Sequence, residues 1–343
     1  MTRCPQSQVI RFRFVHCGTL PTSEPMWPTK LQSDYSRRAV LRGAALLATG
    51  APLMALQTRP HLSFPTEPRQ RLAVTSYPFR AYIESPTNPA RDKSKPGMDL
   101  KDFPAMIAKR FGVHNINPLG DHLSSTDPAY LDSFREAVQK AGSHVVDLGL
   151  GGRDFSNSDK SKREEAVAYG RKWIDAAAVI GSPSVRQHLR TAPGMAPSVG
   201  NTAEALGRLA DYGSKKNIII NLENDSPGSE DPFFLVEVLG KVNSPYLRAL
   251  PDFGNSLRGH DAAYNQRAVD AMFKYAYNMC HVKDVLRVAG GEVDHVDVDR
   301  LFSVARANSY RGYFSMEFDT AAGDPFEGTK NLVIQSLKYM SAS

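Results

Sequence analysis

Eight short runs, most of them rich in Val, Ile and Leu, alternate with amphipathic stretches between residues 72 and 340, and no other feature of the sequence narrows the fold as far. Runs this short form strands buried on both faces, and strands that alternate with helices build a parallel sheet. The runs are 72–76, 114–117, 144–148, 184–188, 218–222, 248–252, 278–281 and 313–317, the second being the least apolar. Helical patterns occupy 130–141, 163–180, 202–216, 232–242, 298–308 and 325–340, with Asp127, Asn201 and Asp231 placed at or near their starts. Seven repeats in the 241 residues from Leu72 to Tyr313 give about 34 each, the size of the repeat in a (β/α)₈ TIM barrel. An open doubly wound sheet would need a Gly-rich phosphate turn after the first run, and Ser76-Tyr77-Pro78-Phe79 cannot serve as one.

The last four runs each end in a side chain able to bind a metal: Glu223, Asp252, His281 and Glu317, spaced by 29, 29 and 36 residues. One βα unit separates each from the next, so a closed barrel sets them on neighbouring strands at its carboxyl rim, where barrel active sites are built. Three carboxylates and an imidazole form a hard set suited to one divalent ion, Mn²⁺ foremost, with Mg²⁺, Co²⁺ or Zn²⁺ as alternatives. Without a cation, three buried acids repel one another.

Asn221-Leu222-Glu223-Asn224, Pro251-Asp252-Phe253-Gly254-Asn255, His281-Val282-Lys283-Asp284 and Ser315-Met316-Glu317-Phe318 resemble the motifs of the sugar phosphate isomerase/epimerase family, the xylose isomerase-like barrels. The resemblance runs over nearly all of 72–340. It implies that Glu223, Asp252, His281 and Glu317 ligate one ion and that Glu223 and Glu317 also carry protons. It implies as well that Arg287, six positions after the histidine, and Lys283 touch substrate. The apurinic endonucleases of the same superfamily bind three zinc ions with added histidines. Here Asn255 stands where they carry one, and Asp147-Leu148-Gly149-Leu150 at the third run offers none, which favours a single metal. Some epimerases also carry a histidine at the place of Asn255, so that substrate contact is altered here.

Further candidates come from position alone. His188 ends the fourth run facing the same rim, and His122 lies in the loop after the second; each is a candidate substrate contact against a packed or solvent-facing histidine. Tyr77 and Phe79 suit either an apolar wall for a sugar ring or a lid on the core. His260 and His295 are expected at the surface. Residues 85–97 are long for a βα loop, as lids and binding loops are.

The chain's net charge of +6 is unevenly spread: residues 1–57 hold seven Lys/Arg against two acids, leaving +1 for the remainder. A near-neutral body argues against a nucleic-acid partner, which demands a clustered basic face. It also offers no evident phosphate clamp. Cys4 and Cys17 lie in the same leader, so Cys280 stands alone in the body and no disulfide forms there. Within the leader, Ser36-Arg37-Arg38-Ala39-Val40-Leu41-Arg42 precedes a short weakly apolar run, the order of a twin-arginine export signal. That run is too short to span a bilayer. The expected organisation is therefore a leader over 1–57 cleaved near Ala55, a linker over 58–70 and a barrel over 71–343. Met26 is an alternative start. The twin-arginine translocase is then a transient partner, the destination is the periplasm or exterior with no stable membrane anchor, and a homo-oligomer is left open.

A metal bound beside adjacent carbonyl and hydroxyl oxygens acidifies the neighbouring C–H and stabilises an enediolate. Two glutamates on opposite sides of a sugar, keto-sugar or polyol-derived ketone then remove and return protons, giving epimerisation or isomerisation. The same start followed by loss of a β-substituent makes a lyase on keto-sugars or keto-glycosides. A periplasmic sugar-binding protein that keeps the metal as a clamp is the noncatalytic alternative.

Overall fold

The computed structural model describes residues 59–192, 194–287 and 292–341. The leader, with its twin-arginine motif and cleavage site, lies outside the described residues. The first half runs β1 (Leu72–Thr75), β2 (Ile83–Glu84), β3 (Met98–Asp99), α1 (Phe103–Phe111), β4 (Asn115–Asn117), α2 (Pro128–Lys140), β5 (His144–Val145), β6 (Leu148–Arg153) and α3 (Lys160–Ile180). It continues through β7 (Ser184–Leu189), α4 (Val199–Ser214), β8 (Ile219–Glu223), α5 (Pro232–Val242), β9 (Leu247–Leu250), α6 (Ala262–Phe273) and β10 (Met279–Val282). The last elements are β11 (Val285–Arg287), β12 (Val293–His295), α7 (Val298–Ala307), β13 (Tyr313–Met316) and α8 (Pro325–Ser341).

Parallel pairing carries the ring from β10 through β13, β1 and β4 to β5, and a second run joins β6, β7, β8 and β9. Single bridges close the two gaps: Leu119 with Gly149 on one side, and Ala249 with Ala276 and Asp252 with His281 on the other. The result is the eight-stranded TIM barrel expected from the alternation. Its third strand departs from the expected 144–148: β5 and β6 are two halves parted by Val146 and Asp147, and the second half continues to Arg153. The break turns the Asp147 carboxylate into the barrel, where buried hydrogen bonds hold it.

Local chemistry explains the helix starts. Asp231 precedes Pro232 and accepts the backbone N–H groups of Phe233 and Phe234, a side-chain cap followed by a proline that needs no donor. For α4 the cap is Ser198, whose Oγ accepts the N–H of Asn201; Asn201 sits inside the first turn and its side chain reaches back to the carbonyls of Ser156 and Asn157. Helix α3 ends where Gly181 takes a left-handed φ of 77°, open to glycine at little cost.

Strand β8 shows why the runs are apolar: Ile219, Ile220 and Leu222 are fully buried between barrel interior and helices, each contributing about 1.5–3 kcal/mol. A separate apolar cluster of Ala73, Val146, Leu250 and Met279 brings together residues from four parts of the barrel wall. The segment 85–97 links β2 to β3, fastened by Asn88 Nδ2 donating to the carbonyls of Arg80 and Ile83 at 2.8 Å each. Phe79 is fully buried against Phe103 and Phe326, so it serves the core and is no wall for a ligand. His260 and His295 are exposed, the former stacked on Tyr264. Among the described residues no helix is long and apolar enough to cross a membrane.

Candidate metal centre and its cavity

Glu223 closes β8, Asp252 follows β9, His281 lies in β10 and Glu317 follows β13, so the strand order sets all four at one rim. Each offers a ligand atom, and these atoms lie within 4.8 Å of one another. The four are almost wholly buried, between 0% and 6% exposed, which makes their charge state a property of each other.

His281 is the centre of the cluster. Its Nδ1 stands 2.5 Å from Glu223 Oε1 and 2.6 Å from Glu317 Oε2, while Nε2 meets Asn117 Oδ1 at 2.8 Å. One nitrogen carries at most one proton, so it cannot donate well to two carboxylates at once. Glu317 Oε2 and Asp252 Oδ2 indeed find no hydrogen-bond partner, although Lys283 Nζ lies 3.2 Å from Asp252 Oδ2 and 3.8 Å from Glu317 Oε2. Buried carboxylate oxygens held only by charge are costly, and ligand atoms grouped within 4.8 Å of one another fit a divalent ion. The other Asp252 oxygen is committed: Oδ1 accepts the N–H groups of Gly254 and Asn255 at 2.8 and 2.7 Å, which fixes the rotamer and aims Oδ2 inward.

The electrostatics follow the same geometry. For Glu317 burial favours the neutral acid, but His281 and Lys283 outweigh it and bring the pKa to about 2. Burial likewise opposes ionisation of Glu223, yet His281 and Arg186 hold it well below the usual carboxylate range. Asp252 is pushed up to about 6 by burial, only partly relieved by Lys283 and worsened by Glu223 and Glu317. His281 is pulled down by burial and lifted further by Glu317 and Glu223, to about 10. A proton on the ring thus offsets the charge of the two glutamates, as a bound cation would.

Above the cluster opens a cavity of about 400 Å³, within the range of small-molecule sites. Tyr77, His188 and Lys283 line it together with Glu223 and Glu317. His122 does not line it: the ring is buried and bonded to Ser76 Oγ at 2.7 Å, and its pKa is depressed to about 4 by burial and by Arg80. Asn255 is buried beside it and accepts Lys283 Nζ at 3.0 Å. Arg287 is exposed on β11 and does not line the cavity; its backbone N–H donates to Asp319 Oδ2 at 2.9 Å.

The structure adds residues that the strand-end pattern did not single out. Arg186 on β7 pairs with Glu223 and also contacts His188 Nε2. Its spacing of two from His188 puts both on one strand face, a signal present in the sequence. His188 is anchored from its other nitrogen by Glu230 Oε1 at 2.6 Å, a carboxylate that also accepts the Leu189 N–H. Burial and Arg186 lower the His188 pKa, but Glu230 and Asp225 leave it raised. Arg258 lines the cavity and pairs with Asp225 at 3.1 Å.

Comparison with known proteins completes the picture. The D-allulose 3-epimerase of Methylomonas sp., solved with D-allulose, is 18% identical, covers 82% of this chain and 98% of its own, and superposes with a TM-score of 0.59. The D-psicose 3-epimerase of Clostridium cellulolyticum H10, solved with D-tagatose, is 12% identical over 79% of this chain and 96% of its own, with a TM-score of 0.57. A xylose isomerase-like TIM barrel protein of Mycobacterium smegmatis in complex with magnesium gives 17%, 80%, 100% and 0.58 for the same measures. At these identities the likeness is one of fold. No curated protein sequence matches the chain. The family model described as xylose isomerase-like TIM barrel matches residues 107–342, more than half of the chain, and the chain belongs to that family.

Proposed function

We propose that the protein is a divalent-metal-dependent isomerase or epimerase of an unphosphorylated sugar, with Glu223 and Glu317 as its proton-transfer pair. The observation that carries this reading is the convergence of Glu223, Asp252, His281 and Glu317 beside a cavity, with Asp252 Oδ2 and Glu317 Oε2 lacking hydrogen-bond partners. Those four residues would hold the ion, which when bound polarises a carbonyl and hydroxyl pair and acidifies the adjoining C–H.

Glu223 and Glu317 both line the cavity and are both held ionised, so each is able to accept a proton from a substrate carbon and the other to return one. Tyr77 offers its ring as a wall, steadied by the Arg80 guanidinium 4.0 Å from its centroid. The cavity's cations are already neutralised: Arg186 by Glu223, Arg258 by Asp225, Lys283 by Asp252. Asp121 and Asp319 also line the cavity, so even with a divalent ion bound the acids there are not outnumbered by positive charge, which supports a neutral sugar. The sugar epimerases of similar fold, one solved with D-allulose and one with D-tagatose, point to ketoses as the first compounds to try.

The test is incubation of Mn²⁺-loaded protein with a panel of free ketoses, inososes and 3-keto-glycosides in D₂O, read by NMR for deuterium on carbon. Wild type should incorporate deuterium and form product, and Glu317→Gln should lower the rate by about 10²–10⁴-fold. No deuterium and no product from any of them, together with equal sugar binding by wild type and Glu317→Gln, would make the protein a sugar binder and no enzyme.

A further inference from the structure

Beneath the candidate metal centre lies a layer of polar side chains that the proton-transfer chemistry does not use. Asn117, Asp147, Ser184, Asn221 and Asn278 are each fully buried, on or beside β4, β5, β7, β8 and β10. Two of their hydrogen bonds, from Asn221 to Asp147 and from Asn278 to Ser184, join strands that are not neighbours and therefore cross the barrel interior. Ser184 Oγ donates to Asp147 Oδ1 at 2.5 Å, Asn221 Nδ2 donates to the same oxygen at 3.0 Å, and Asn278 Nδ2 donates to Ser184 Oγ at 2.8 Å. Asp147 is thereby locked in place. Asn117 Nδ2 then donates to both the backbone carbonyl and Oδ2 of Asp147, at 3.1 and 3.2 Å.

With its NH₂ end committed to Asp147, the Asn117 amide has its oxygen left for His281, 2.8 Å from Nε2. An amide oxygen accepts and cannot donate, so Nε2 must be the ring nitrogen that carries the proton. The lone pair of a neutral ring then sits on Nδ1, the nitrogen that faces Glu223 and Glu317. We propose that Asn117, oriented by Asp147, is the positioning residue that fixes the tautomer of His281 so that Nδ1 is the ligand atom. This rests on the metal-binding part of the proposed function and is independent of which sugar is turned over.

A network that served only to satisfy buried groups would not leave Asn221 Oδ1 and Asn278 Oδ1 without partners, as this one does. Asn117, by contrast, uses both ends of its amide. Water gives no substitute, because His281 is 1% exposed and Asn117 not at all. Partners of this kind orient a ligating imidazole and raise its basicity, and their loss weakens metal affinity by about 10- to 100-fold.

The test measures Mn²⁺ affinity of the full chain by competition with a fluorescent chelator, for wild type and Asn117→Leu. Asn117→Leu should bind about 10- to 100-fold more weakly. In parallel, ¹⁵N NMR of histidine-labelled wild type loaded with Mg²⁺ should place the His281 proton on Nε2. Affinity of Asn117→Leu within about threefold of wild type, or a proton on Nδ1, overturns the proposal. Should Asn117→Leu fail to fold, the wild-type spectrum alone decides it. A wild type that takes up neither ion overturns the metal centre itself, whereas uptake unaffected by Asn117→Leu overturns this inference alone.

Discussion

Replacing Lys283 by Met should destabilise the metal-free protein strongly and the metal-loaded protein much less. Lys283 is 4% exposed, and its ammonium lies 3.2 Å from Asp252 Oδ2, 3.8 Å from Glu317 Oε2 and 3.0 Å from Asn255 Oδ1. Without it, Asp252 keeps two backbone donors on Oδ1, but Oδ2 loses the ammonium at 3.2 Å while Glu223 and Glu317 still oppose its charge. Removing one partner of a buried ion pair costs about 3–5 kcal/mol. For a domain of this size each kcal/mol is about 2–4 °C, so the melting temperature in EDTA should fall by about 6–20 °C. A divalent ion restores the missing countercharge, and with the competing ammonium gone it should stabilise the variant more than the wild type. Melting curves of both proteins, in EDTA and in saturating Mg²⁺, measure all four values. A fall under about 2 °C in EDTA, or a gap that stays the same when Mg²⁺ is added, would refute the charge balance drawn here.

Two further expectations follow from other parts of the chain. His122 is buried with its pKa depressed to about 4, below the value of 6.5 for a free histidine. As pH falls from 6.5 to 4 the unfolded chain takes up the proton before the folded one. The stability present above 6.5 is therefore lost across that window, about 3 kcal/mol in all. Urea unfolding at stepped pH should show a shallower acid loss in His122→Asn, and parallel curves would contradict it. For the leader, the export reading predicts that replacing Arg37 and Arg38 with Lys keeps the protein in the cytoplasm of a host with a twin-arginine translocase; unchanged arrival in the periplasm would contradict it.

What could be read from the sequence is what strand geometry forces. Parallel strands of a closed barrel all end at one rim, so the polar residue at the end of an apolar run locates itself, as Glu223, Asp252, His281 and Glu317 do. The helices of 232–242 and 298–308 were equally legible, because Asp231 and the apolar period mark them. The polar layer was not. Asn117 meets His281 across 164 residues of sequence, and Asn278 meets Ser184 across 94, through a barrel interior that no local pattern encodes. The interruption of the third strand at Asp147 belongs to that same layer and was missed with it. Arg186 was within reach through its alternation with His188, yet a basic residue in an apolar run reads first as an edge or a rim. Arg287 shows the converse: its distance from His281 in sequence is the family's, but the residue is exposed and does not line the cavity.

The central claim is one divalent ion held by four side chains, and elemental analysis of the purified protein after loading and gel filtration measures it directly. Wild type should carry close to one Mn²⁺ per chain, and His281→Ala close to none. Three zinc ions per chain, or a His281→Ala variant as well loaded as wild type, would contradict the account.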